Sequence, residues 1–348
     1  MKYPKFLKEK GVIGFVAPSF GCATEPYKTA FENAQNKWKM QGYRLALGPN
    51  CYAGEGVGIS NTPEKCGREL TEYYISKDND CLISCGGGEL MCEALSFVDF
   101  KAIKGAEPKW YMGYSDNTNI TFLLTTLCDT ASVYGPCAAA FGMEPWHPAI
   151  EDAFALLKGE KLAFESYGLW EKEGLRDEEH PLLPYNCTQK LQIKMFAPGR
   201  EGILKETGQL AVEGRLLGGC MDCLVNLTGT KYDEVTEFTE RYKEDGILWF
   251  LEACDLNVFG IRRAMWQMDM AGWFRHVKGF LIGRPLQGEE MMGLNHLDAV
   301  LAVAKKYGVP VFMDVDLGHL PPAMPLVTGS YARVEGKEGK LTVAMELK

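Results

Sequence analysis

The chain lacks the marks of several large protein classes. No run of about 18 apolar residues occurs anywhere in its 348 residues, so no membrane-spanning helix is expected. The N-terminal stretch MKYPKFLKEKGVIGFVAPSFG holds only a short apolar run before Pro18, too little for a secretory signal. No basic run exists, and 37 Lys and Arg stand against 46 Asp and Glu, for a net charge of −9. Nucleic acid is therefore not an expected partner. Internal repeats and low-complexity segments are absent. A soluble, cytoplasmic protein is expected.

Metal and cofactor signatures are missing too. There is no HExxH, no second CxxC beside Cys220-x-x-Cys223, and none of the five histidines lies near that pair in sequence. The glycine run Gly86-Gly87-Gly88-Glu89 fits neither GxGxxG nor a Walker loop. No metal and no cofactor is expected. The twelve cysteines are scattered through apolar contexts, which without a secretion signal reads as reduced, buried thiols. Cys220 and Cys223 read as small apolar residues at a helix start.

What is present is ordinary globular material, 46% hydrophobic and 24% charged. The chain is too long for one ordinary core, so two domains are expected. In the first half, apolar strands at 11–17, 43–47, 81–85, 109–114 and 132–134 alternate with helices at 26–41, 63–75, 89–97 and 117–127. Continuous apolar strands between helices imply a doubly wound parallel sheet, with ligands at the strand C-terminal ends. Residues 149–157 form a further helix, and the Asp177-Glu178-Glu179 cluster reads as a solvated face. A second core follows. It has strands at 209–214, 247–251, 277–282 and 309–313, helices after Gly219 and at 261–270 and 297–304, and closing strands at 326–334 and 340–347. The expected division is 1–165 for an N-terminal domain, 166–206 for a crossing and 207–348 for a C-terminal domain.

The stretch WYMGYSDNTNITFLL organises the first half. An apolar strand ends on Gly113-x-Ser115, and a helix begins directly after it. A serine in such a turn has its hydroxyl at the sheet edge and its N–H near a helix N-terminus, the physical content of a nucleophile elbow. A serine there is also a common N-cap. Glu252 abuts the apolar strand ILWFL, where a carboxylate needs a partner. His319 follows Gly318 in the loop DVDLGHLPPAMP. All three sit at or just past strand ends. A serine hydroxyl becomes a nucleophile when an imidazole takes its proton and a carboxylate holds that imidazole. Asp255, Asp314 and Asp316 compete with Glu252 for the orienting role. The backbone N–H groups of Gly86, Gly87 and Asp116 are candidate oxyanion donors. His147, His180, His276 and His296 lie in blander contexts.

On these blocks the sequence resembles the LD-carboxypeptidase family of serine peptidases, in the branch that includes the microcin C immunity proteins. The resemblance spans nearly the whole chain. It is carried by GVIGFVAPS, ISCGGGELMCEALSFVDF, PKWYMGYSDNTNITFLL, GRLLGGCMDCLVNLTGT, ILWFLEACDLNVFGIRRAMWQM and DLGHLPPAMPLVTGS. It implies a Ser–Glu–His triad at Ser115, Glu252 and His319. It also implies a flavodoxin- or class I amidotransferase-like N-terminal domain, a swivelling-type C-terminal α/β domain, no metal or cofactor, and a homodimer. The implied substrates are small peptides, such as the muropeptide tetrapeptides of peptidoglycan recycling, or the peptidyl-nucleotides of microcin C-type antibiotics. The sequence departs from many relatives at Ala253-Cys254-Asp255 after the Leu-Glu pair, at Cys85 before the glycines, and at Gly88-Glu89. Changes beside an oxyanion loop alter what a pocket accepts. Two rivals are a non-catalytic small-ligand-binding protein on the same fold, and an amidotransferase-like enzyme. The latter would need cysteine where Ser115 stands.

Overall fold

The computed structural model describes residues 1–199 and 203–348. In chain order its elements begin with β1 (Val12–Val16), α1 (Tyr27–Met40), β2 (Arg44–Leu47), α2 (Pro63–Ile75) and β3 (Cys81–Ser84). There follow α3 (Met91–Ala94), α4 (Phe100–Gly105), β4 (Trp110–Gly113), α5 (Thr118–Thr126), β5 (Ser132–Tyr134), α6 (Pro148–Leu157) and β6 (Ala163–Glu165). Then come β7 (Leu169–Trp170), β8 (Gln189–Lys190), β9 (Lys194–Pro198), β10 (Leu204–Thr207), β11 (Gln209–Cys220), α7 (Met221–Leu227), α8 (Val235–Arg241) and β12 (Ile247–Glu252). The last are α9 (Val258–Met270), β13 (Val277–Gly283), α10 (His296–Ala304), β14 (Val311–Val315), β15 (Leu326–Thr328), β16 (Tyr331–Lys337) and β17 (Lys340–Glu346).

These elements form two compact units. The first holds residues 1–161, 173–186 and 325–328, and the second 162–172, 187–324 and 329–348. The sequence suggests a division near 165 and a crossing over 166–206. The units divide that crossing between them and each takes a piece from beyond it.

The first unit is built on a six-stranded sheet in the order β15-β5-β4-β3-β1-β2. Strands β1 to β5 run parallel, in the flavodoxin order. Their side chains are buried on both faces in β3 and β4, as continuous apolar strands require. Helix signals are local: Thr62 caps α2 by accepting from the Lys65 N–H, and Pro63 opens it. The expected helix over 89–97 is only α3 followed by a 3₁₀ turn at Leu95–Phe97. The expected strand over 326–334 is two strands, β15 in the first unit's sheet and β16 in the second's, broken where Gly329 takes φ +91°.

The second unit carries a nine-stranded mixed sheet, β10-β9-β14-β13-β12-β11-β16-β17-β6. Its centre, β11 to β14, is parallel. β12 is fully buried along ILWFLE, and each large apolar side chain there contributes about 1.5–3 kcal/mol of burial. β11 does not stop at Gly214 as its sequence suggests. It pairs with antiparallel β16 over Gln209 to Arg215, then with parallel β12 over Arg215 to Cys220. Its glycines let it lie against β12, since a Cβ on Gly218 would fall 1.8 Å from the Phe250 carbonyl oxygen.

Candidate active site

In the first unit, buried β4 delivers the chain to Ser115, whose φ is +63°. A left-handed non-glycine residue costs about 1–3 kcal/mol and persists only where its surroundings enforce it. Here they do. The Ser115 N–H donates to the Tyr134 hydroxyl at 3.2 Å, from the end of neighbouring β5. Asn117 Nδ2 donates to the carbonyls of Gly86 at 2.8 Å and Tyr114 at 3.1 Å, and the Tyr111 hydroxyl donates to Asn117 Oδ1 at 2.5 Å. The Asp116 carboxylate is buried and accepts from Ser19 Oγ at 2.6 Å, the Met91 N–H at 2.9 Å and Asn119 Nδ2 at 3.0 Å. Burial raises its pKa, opposed by the bond from Ser19. Ser115 is not the cap of α5. It opens a 3₁₀ turn, Ser115–Asn117, and Asn117 is the cap residue.

β3 and β4 are parallel neighbours, with Cys81 opposite Trp110. Their C-terminal turns lie side by side. A Cβ on Gly87 would sit 3.2 Å from both Cβ and Oγ of Ser115. Gly86 faces elsewhere, since its added Cβ would meet the Phe20 carbonyl oxygen at 3.0 Å.

In the second unit, β12 ends on Glu252, which is 0% exposed. Its Oε2 lies 2.8 Å from His319 Nδ1. With the carboxylate ionised, Nδ1 carries the proton and Nε2 is left as the basic nitrogen. Burial acts against a charge on His319. The Glu252 carboxylate, with hydrogen bonds to Cys254 and Glu252, outweighs it and holds the imidazole pKa well above 6.5. Gly318 has φ +100°, and a Cβ there would lie 2.6 Å from Glu252 Oε2. No other residue fits between the acid and the loop that carries its histidine.

The competing carboxylates have other work. Asp316 pairs with Arg284 at 2.8 Å and accepts from the Tyr167 N–H at 2.8 Å. Asp314 lies 3.9 Å from His296, and Asp255 donates its N–H to Asp222. The four other histidines are locally engaged. His147 caps α6, His180 meets Asp177 at 3.1 Å, His276 meets Glu240 at 2.9 Å, and burial pushes His296 down to about 4.

Several site residues escape the sequence reading. Asp222 sits inside CMDC, a stretch read for its cysteines. Its Oδ1 accepts the N–H groups of Asp255 at 2.9 Å and Leu256 at 3.0 Å, and its Oδ2 that of Cys254 at 3.0 Å. It thereby fixes the turn that follows Glu252. Cys220 is the register partner of Glu252. Its Sγ, a Glu252 oxygen and a His319 ring nitrogen lie within 4.8 Å of one another. The bond with Cys223, then burial and the Glu252 charge, raise the Cys220 thiol pKa well above its ordinary value. All twelve cysteines are unbridged thiols and most are buried. Beyond the ends of β13 and β14 a cleft of about 500 Å³ is lined by Lys172, Lys190, Lys194, Arg284 and Leu320, among others. No helix among the described residues is long and apolar enough to cross a membrane.

Residues 13–135 match the LD-carboxypeptidase N-terminal domain family, and residues 213–334 the LD-carboxypeptidase C-terminal domain family. The microcin C7 self-immunity protein MccF of Escherichia coli is 24% identical over 329 residues, covering 91% of this chain and 88% of its own. The structure of MccF in complex with aspartyl sulfamoyl adenosine superposes with a TM-score of 0.81 at 21% identity, over 100% of this chain and 99% of that one. An MccF-like protein from Streptococcus pneumoniae in complex with AMP gives 0.75 at 17% identity, over 97% and 98%.

Proposed function

Because this chain belongs to the LD-carboxypeptidase family, matched in both of its domains, we propose that it is a serine hydrolase that cleaves an amide bond next to a free carboxylate. Ser115 is the nucleophile, His319 the base and Glu252 the residue that orients and charges it. The observation that carries the reading is the buried Glu252–His319 pair at 2.8 Å. A carboxylate with 0% exposure at a strand end costs several kcal/mol unless it is paired. Pairing it to an imidazole is the arrangement that makes Nε2 a strong base. The positive φ of Ser115 supports the elbow reading.

In this mechanism Ser115 Oγ attacks the amide carbonyl and gives its proton to His319 Nε2. The Gly87 and Asp116 N–H groups, with Gly86 as the further candidate, stabilise the oxyanion. His319 then protonates the leaving amine, and a water activated by the same nitrogen releases the acid. Neither metal nor cofactor takes part. The cleft of about 500 Å³ is lined by Lys172, Lys190, Lys194 and Arg284 together with Glu289 and Asp314. Although Arg284 is paired with Asp316, the excess of lysines supports a substrate that carries acidic groups. Two classes fit: a muropeptide tetrapeptide losing its terminal D-alanine during peptidoglycan recycling, and an acyl-aspartyl nucleotide of the microcin C type, whose cleavage confers resistance. The MccF structure bound to aspartyl sulfamoyl adenosine supports the second. The protein acts in the cytoplasm as a homodimer. Incubating purified protein with each substrate and reading product masses tests the reading. Free aspartate or free D-alanine is the expected product, and neither substrate being cut overturns it.

A further inference from the structure

We propose that Cys220, Glu252 and His319 form a binding site for a thiophilic divalent cation, zinc above all, and that occupancy switches the protein off. The site itself stands on geometry. Only the switching rests on the proposed hydrolase.

Cys220 and Glu252 end two adjacent parallel strands in direct register, so their side chains leave the sheet on the same face. His319 reaches that face from the loop after β14 and turns Nδ1 toward Glu252 Oε2. Thiolate, imidazole and carboxylate donors thus converge with no atom pair beyond 4.8 Å. Bond lengths near 2.3 Å to sulfur and 2.0–2.1 Å to nitrogen or oxygen put ligands of a tetrahedral zinc about 3.6 Å apart. The widest separation allowed here, 4.8 Å, exceeds that by only about 1 Å. Three protein ligands leave a fourth position for water, the open form of a zinc site. Sulfur and nitrogen donors select zinc, cobalt or copper over magnesium or calcium.

An outer shell is present. Asp222 Oδ2 accepts from Cys220 Sγ at 3.2 Å and is itself held by the Cys254 N–H. Such partners orient ligands and tune the metal. On binding, the Cys220 thiol loses its proton to solvent through Asp222 and the thiolate bonds the cation. The cation takes the Nδ1 lone pair, and the imidazole proton moves to Nε2. The nitrogen that serves as base then carries a proton and cannot accept another. Zinc therefore acts as an inhibitor at a centre that works without metal.

The test uses the full chain without substrate. Cobalt is added to the wild type and to C220S, C223S and H319A, and the near-ultraviolet sulfur-to-cobalt band is read, with zinc competition giving relative affinities. The expected result is a one-to-one band in wild type and C223S, lost in C220S and H319A, with zinc affinity down on the order of 100-fold or more. No binding by wild type overturns the proposal whatever the variants do. A band lost in C223S but kept in H319A also overturns it, because the ligands would then be the cysteine pair. A chelator-reversible loss of hydrolysis at the same zinc concentration supports the switch, and binding without inhibition overturns the switch alone.

Discussion

His319 Nδ1 and Glu252 Oε2 lie 2.8 Å apart, with the carboxylate wholly buried. This pair sets the pH dependence. Burial alone would lower the His319 pKa, and Glu252 reverses that, leaving it well above 6.5. A base must be neutral to take a proton, so kcat/KM falls as pH drops through a pKa above 6.5. In Glu252→Gln the largest raising influence is gone while burial remains, so the acid limb moves to lower pH while kcat falls by about 10⁴-fold. The stability contribution runs the other way. It is complete below the unfolded pKa of about 6.5 and is lost as pH rises through the folded value. pH–rate profiles and melts of both proteins check these directions.

Gly87 abuts Ser115. A Cβ there would lie 3.2 Å from Ser115 Oγ, and the branches of valine reach further into the same space. Gly87→Val is expected to lose activity nearly as fully as removal of the serine, with circular dichroism and melting little changed. Gly88→Ala is expected to do the reverse. Its Cβ would meet Ser19 Oγ at 2.2 Å and the Gly58 carbonyl oxygen at 2.9 Å, so it lowers the melting temperature first. Melting curves beside rates distinguish the two.

Asp222 holds three N–H groups of the turn after Glu252. Asp222→Ala leaves them without that acceptor and is expected to cost on the order of 2 kcal/mol and to lower kcat through a displaced Glu252. Denaturant unfolding and kinetics check it. Asp222→Asn, which keeps one acceptor oxygen, is expected to fall between the two.

Hydrolysis that runs on Ser115, Glu252 and His319 needs no metal. Prolonged incubation with a strong chelator is expected to leave the rate unchanged. A large loss restored by zinc would mean that Cys220 and its neighbours hold a working metal.

Much of this was legible in the sequence because it is written in local signals. Apolar runs ending at Tyr114, Leu251 and Met313 place strands, and the candidate residues Ser115, Glu252 and His319 sit at or past those ends. The parallel order of β1 to β5 follows from alternation with helices. Less legible was whatever depends on distant partners. β11 runs on through Gly218 and Gly219 because β12 lies beside it, and no local pattern says so. Helix α8, VTEFTER in sequence, has too short an apolar stripe to stand out. Asp222 carries its meaning in the backbone groups it holds, and Asp116 in Ser19, Asn119 and the Met91 N–H, all distant or unmarked in sequence. Residue type and strand-end position alone do not separate Glu252 from Asp255, Asp314 and Asp316; the family resemblance favours Glu252, and the 2.8 Å contact with His319 is made by Glu252.

The central claim is that Ser115 is the nucleophile served by the Glu252–His319 pair. The turnover number of Ser115→Ala on aspartyl sulfamoyl adenosine or a muropeptide tetrapeptide, whichever the wild type cleaves, tests it most directly. A fall of about 10³-fold or more, with an unchanged circular dichroism spectrum, is the predicted result. Turnover near that of the wild type would contradict it.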